Sequence, residues 1–97
     1  MFIISLTYKT SLENVEHFIR EHNDFLEKYY NSGHLITSGR KEPRTGGIIL
    51  ADAHSKEEIQ DIIKEDPFYS NDIADYEITE FIPSKYNEHF KSFIKNS

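Results

Sequence analysis

The stretch FIISLTYKTSLENVEHFIREHNDFLEKYYNSG, residues 2–33, changes its hydrophobic period once, and that change decides the architecture. From Phe2 to Tyr8 the period is two residues. Phe2, Ile4, Leu6 and Tyr8 share one side and Ile3, Ser5 and Thr7 the other, as in a β-strand. From Val15 onward the spacing is helical: Phe18, Ile19, Phe25, Leu26 and Tyr29 recur on one face until Asn31, Ser32 and Gly33 stop the run. Thr10 followed by Glu13 predicts a capping box at the start of this helix. A strand feeding a long amphipathic helix opens a βαβ unit.

The remainder repeats that logic. His34 to Ser38 reads as a short strand, and the segment Gly39 to Gly47, with Pro43 and the turn Thr45-Gly46-Gly47, reverses the chain into a strand over Ile48 to Ala53. Ser55 and Glu58 form a second capping box, Ile59, Ile62 and Ile63 an apolar stripe, and Asp66-Pro67 the end of a second helix, because a residue before proline resists the helical conformation. Ile73 to Ile82 alternates again, with Tyr76, Ile78 and Ile82 on one face and Glu77, Thr79 and Phe81 on the other. Tyr86, Phe90, Phe93 and Ile94 then predict an amphipathic tail helix over about residues 84–95, with Lys91 and Lys95 suited to its negative end.

The order βαββαβ is an α+β, split-βαβ arrangement, in which two helices cover one face of a four-stranded antiparallel sheet. The expected organisation is one domain over residues 1–97, with a core at about 2–83 and the tail helix appended. If the helices take the more apolar face, Ile3, Ile49, Ala51 and Phe81 lie on the other. That partly apolar surface invites a second copy, sheet against sheet.

Composition narrows the partners. The 97 residues include Phe 7 and Tyr 6 but no Trp and no Cys, so burial rests on aromatics, Ile and Leu without a disulfide. No apolar run approaches the ~20 residues of a membrane span, and the start MFIISLTYKT lacks a secretory leader, so a cytoplasmic protein is expected. A formal charge of −6, with 11 Lys and Arg scattered along the chain, disfavours phosphate backbones and hence nucleic acid.

One polar residue is out of place. His22 follows Val15 by seven positions and so returns to nearly the same helical angle, inside the apolar stripe, whereas His17 falls on the opposite side. Two readings fit: a core histidine satisfied by a carbonyl or buried water, or a titratable ring held for chemistry. Asp66 is expected at the negative end of the second helix, and it also reads as turn punctuation with Pro67. Together the two residues have a chemical logic. A carboxylate bonded to one imidazole nitrogen fixes the tautomer and leaves the other nitrogen to move a proton. No metal site is expected, since His17 and His22 point to different faces and Asp52 with His54 lacks a third ligand. Phosphate loop, serine elbow and thiol nucleophile are also missing.

Taken in order and spacing, His22-x-x-Phe25-Leu26, Gly33-x-Leu35-x-x-Ser38-Gly39, Gly46-Gly47 with its apolar strand and Asp66-Pro67-Phe68 resemble the YciI-like (YCII-related) proteins over about residues 2–83. The resemblance implies a ferredoxin-like fold of the dimeric α/β-barrel type, a homodimer packed through its sheets, and a pocket beside each sheet. It implies His22 and Asp66 as a catalytic pair; Ser38, Arg40 and Phe68 are expected as substrate contacts, and no cofactor is expected. The implied reaction is of lyase or isomerase type on a small molecule, dehydrochlorination of a hydroxylated aromatic ring being one family activity; a non-catalytic binding or accessory dimer is the alternative. Three positions depart from the family pattern: Arg40 replaces a usual proline, Ile19 a frequent arginine and Asp72 a glycine. All three are expected at the pocket rim, where Arg40 would attract an anionic substrate.

Overall fold

The computed structural model describes residues 1–94. In chain order the elements are β1 (Phe2–Tyr8), α1 (Leu12–Asn31), β2 (Leu35–Arg40), β3 (Gly46–Ala51), α2 (Lys56–Ile63), α3 (Pro67–Ser70), β4 (Ala74–Glu80) and a 3₁₀ turn at Glu88–Phe93. The strands form one sheet in the order β2-β3-β1-β4, with every neighbouring pair antiparallel. Two strand-helix-strand crossings onto one face of that sheet make the ferredoxin-like arrangement expected from the sequence.

β1 is central, and its alternation is converted directly into burial: Phe2, Ile4 and Leu6 are buried beneath the helices, while Ile3 and Thr7 are exposed. Val15, Phe25 and Tyr29 of α1 and Ile59, Ile62 and Ile63 of α2 complete the core with Phe68 and Ile73. Each fully buried large apolar side chain contributes about 1.5–3 kcal/mol. At the far end of α1, Lys28 Nζ lies 2.5 Å from Glu65 Oε1, and the Tyr29 hydroxyl donates to Glu65 Oε2. The Lys28 bond, then the Tyr29 bond, holds the Glu65 carboxyl below its ordinary range.

The register corrects the assignment of faces. Phe2 pairs with Ala51 and Ile4 with Ile49, so Ile49 and Ala51 lie on the helix-covered side, not on the open one. The open face carries Ile3, Ile48 and Leu50. Hydrophobic alternation within β3 is nearly uniform, Ile48-Ile49-Leu50-Ala51, and only pairing with β1 fixes which parity turns inward.

Several boundaries also move. The cap of α1 is Ser11, whose Oγ accepts from the Asn14 backbone N–H, while Thr10 Oγ1 takes the Asn14 side-chain amide instead. The chain thus enters the helix one residue later than the Thr10 box predicts. Ser55 does cap α2, accepting from the Glu58 N–H, and Glu58 returns a bond to the His54 N–H. Gly46 and Gly47 are not a turn but the start of β3, and the reversal is confined to residues 41–45. The reason lies at Gly46: a Cβ there would sit 1.7 Å from the Leu6 carbonyl oxygen, so glycine permits the close approach of β3 to β1.

The predicted tail helix is reduced to the single 3₁₀ segment Glu88–Phe93, none of it buried, and Lys95 lies outside the described residues. Phe90 and Phe93 pack on each other, with centroids 5.4 Å apart. A stripe without a surface to cover does not sustain an α-helix. No helix among the described residues is long and apolar enough to cross a membrane.

Candidate active site

α1, running over the sheet, places His22 on its inner side between Val15 and Phe25. The residue is buried, with 9% of its surface exposed. Pro67 starts α3 and fixes the entry of the chain, so that Asp66 stands in an extended conformation as the N-cap. This corrects the expected setting of Asp66. α2 has already ended at Ile63, and the carboxylate sits at the favourable, positive end of the next helix rather than the negative end of the last one.

Asp66 joins three elements. Its Oδ1 lies 2.8 Å from His22 Nδ1 on α1 and accepts from the Phe68 backbone N–H at 3.0 Å. Its Oδ2 accepts from the Tyr76 hydroxyl of β4 at 2.5 Å. The carboxyl is fully buried, and these bonds satisfy both oxygens. Burial first, and the adjacent Asp66 charge second, push the Tyr76 hydroxyl far above its ordinary range, so it remains a donor to Asp66. With the carboxylate already accepting from Phe68 and Tyr76, the tautomer that completes the set carries its proton on Nδ1 and leaves the Nε2 lone pair free.

The other surfaces of the His22 ring are equally constrained. Phe68 stacks on it with centroids 4.0 Å apart and planes 4° from parallel, and Tyr8 meets Phe68 edge-on. Beside the ring opens a cleft of about 400 Å³, lined by His22 and Phe68 and reaching to Ser38, Arg40 and Arg44 at the β2–β3 end of the sheet. Ile19 and Leu26 of α1 form its apolar side. Ser38 is held by the Tyr30 hydroxyl at 2.6 Å, and Arg44 by Glu16 at 2.6 Å.

The five residues singled out from the sequence thus gather in one region: His22, Ser38, Arg40 and Phe68 line the cleft, and Asp66 supports it from behind. Ile19 also lines it. Asp72 does not: it lies away from the cleft, paired with Lys9, and its φ of 58° explains why a glycine suits this position.

Sequence reasoning missed Tyr76, Tyr30 and Arg44. For Tyr76 a signal was present, since a tyrosine on the inward face of a strand needs a partner for its hydroxyl. Tyr76→Phe leaves one Asp66 oxygen without its donor and is expected to lower unfolding stability by about 1–3 kcal/mol, measured by urea denaturation.

Among the described residues, no group of three or more His, Asp or Glu is placed to hold a metal ion. No curated protein sequence matches the chain significantly. Among solved structures it is similar to 5-chloro-2-hydroxyhydroquinone dehydrochlorinase from Burkholderia phenoliruptrix in complex with 2,5-dihydroxybenzoquinone. The two share a TM-score of 0.73 and 18% sequence identity, over 91% of this chain and 96% of that one. At that identity the likeness establishes the fold. Residues 1–82 match the YCII-related domain, and the chain therefore belongs to the YCII-related family.

Proposed function

We propose that this chain is a cofactor-independent acid–base enzyme, of lyase or isomerase type, in which His22 moves a proton of a small molecule bound in the cleft. The observation that carries this reading is the 2.8 Å bond from His22 Nδ1 to a carboxylate itself held by two further donors. Asp66 orients the ring and fixes its tautomer; Nε2 is the atom that takes and returns the proton. In this reading Phe68 and Ser38 contact the substrate and Arg40 positions it.

The solved relative processes a hydroxylated, chlorinated ring, as its name states. Loss of a proton and a chloride from such a ring needs a base beside an apolar pocket, and His22 with Phe68, Ile19 and Leu26 around the cleft supplies both features. The family fold hosts more than one chemistry, so the reaction is assigned from the site. The same reading has the whole chain acting as one unit and as a homodimer through the open sheet face, where Ile3 and Ile48 stand exposed.

The nitrogen chemical shifts of the His22 ring test the proposal directly. At a pH where the ring is neutral, Nδ1 is expected to be protonated and Nε2 free. A ring protonated on Nε2 instead would present no base to the cleft and would overturn the reading. In parallel, incubation of the wild-type chain with halogenated hydroxyhydroquinones is expected to release halide.

A further inference from the structure

The cleft has a charge character opposite to that of the molecule. The chain carries 17 Asp and Glu against 11 Lys and Arg, yet no acidic side chain lines the cleft, while two arginines do. The carboxylates bonded to its lining residues are already committed. Glu16 pairs with Arg44, and Asp66 lies behind His22 with both oxygens bonded. Arg40, by contrast, makes no ion pair or side-chain hydrogen bond among the described residues.

Its position follows from the sheet. β2 pairs with β3 so that Arg40 lies opposite Gly47, which lies opposite Leu6, all on the helix-covered side. Gly47 itself lines the cleft between Arg40 and the core. An unneutralised guanidinium at the edge of a partly apolar, partly enclosed space concentrates positive potential there, against the net negative charge of the rest. Its planar fork suits a carboxylate or an ionised hydroxyl on a ring. The opposite end of the cleft is lined by the rings of His22 and Phe68, and Ile19 and Leu26 make its side apolar.

We propose that the cleft selects single-ring aromatic anions, with the negative group seated on Arg40, assisted by Arg44, and the ring beside His22 and Phe68 on the apolar side of the cleft. This deepens the acid–base reading by naming its substrate class, and it rests on that reading only for what happens after binding. Anchoring the charge at the Arg40 end leaves the ring carbons, not the anionic group, beside Nε2. Ionisation of the ring substituent also concentrates the productive form of a hydroxylated substrate in the cleft.

Binding of matched pairs tests this without turnover: benzoate against benzamide, 4-hydroxybenzoate against 4-hydroxybenzamide, and 2,5-dihydroxybenzoate against its amide. Affinities are read by titrating each compound into the full chain while following the backbone amide resonances of residues 38–47. At least one anion is expected to bind about tenfold or more tightly than its amide, with the preference weakening as salt is raised. Arg40→Gln, at an exposed position with no ion pair or side-chain hydrogen bond among the described residues, should retain the fold and abolish the preference; Arg44→Gln should reduce it. No anion preferred over its amide, or a preference unchanged in Arg40→Gln, would overturn the proposal. His22→Gln is expected to keep the preference while losing proton transfer, which separates the anion site from the acid–base step.

Discussion

His22→Ala is expected to lower turnover by about 10²–10⁴-fold on any substrate the wild-type chain converts, with the fold retained, because that is the range general acid–base catalysis supplies. The ring is buried, stacked on Phe68 and bonded to Asp66, so the same substitution also removes packing. Asp66 keeps the Phe68 amide and the Tyr76 hydroxyl as donors, which limits the damage to a few kcal/mol. Two measurements separate the roles. Thermal unfolding reads the packing loss; the steady-state kcat of the folded protein reads the chemistry. His22→Gln, which can still donate an N–H toward Asp66, should recover part of the stability and none of the turnover. A folded Gln variant with wild-type kcat would make His22 a core residue only.

Gly46→Ala is expected to be the most damaging single-methyl change in the sheet. The added carbon would meet the Leu6 carbonyl oxygen at 1.7 Å, the Leu6 carbonyl carbon at 2.7 Å and the Thr7 Cα at 3.1 Å. All three belong to the backbone of β1, which is locked between β3 and β4 and cannot rotate out of the way. The strands must therefore part locally, breaking ladder bonds over the core residue Leu6. A loss of about 4 kcal/mol or more is expected, a large share of the stability of a small domain. Gly39→Ala is the control. Its Cβ would meet nothing within 4 Å, and stability should stay within about 0.5 kcal/mol of wild type. Chemical denaturation of both variants checks the contrast, which a general intolerance of strand glycines to substitution would not produce.

What could be read from the sequence was whatever one element settles by itself. β1 and α1 announce their periods locally, and His22 stood out because a single helical wheel defines an inside. Features that depend on how elements meet were not legible. The parity of Ile48 to Ala51 is set by pairing with β1, and a run of four apolar residues contains no hint of it. β2 is subtler. The register shifts between Leu35 and Thr37, so Leu35 and Ser38, three residues apart, face the same side of the sheet. Strict alternation would send Ser38 to the open face, away from the cleft that it lines. The family pattern supplied Ser38; periodicity alone would have placed it wrongly. Asp66 was found, but its setting was not, since the four-residue helix it caps is too short for any periodic signal. Tyr76, which completes the carboxylate's bonds, comes from a strand ten residues further on, and only the closed sheet brings the two together.

The three-way attachment of Asp66 has a consequence for how the molecule opens. One carboxyl group ties the middle of the longest helix, the first turn of the shortest and an edge strand, so none of these can swing away alone without stripping it of a partner. Candidate sites are often placed on mobile loops, where local opening is separate from global unfolding. Here the dyad is tied to a helix, a short helix and a strand at once. The Phe68 amide, sealed against Asp66, becomes a backbone label for it: any fluctuation that lets solvent deuterium reach that nitrogen also breaks one of the bonds that hold the carboxylate against the imidazole.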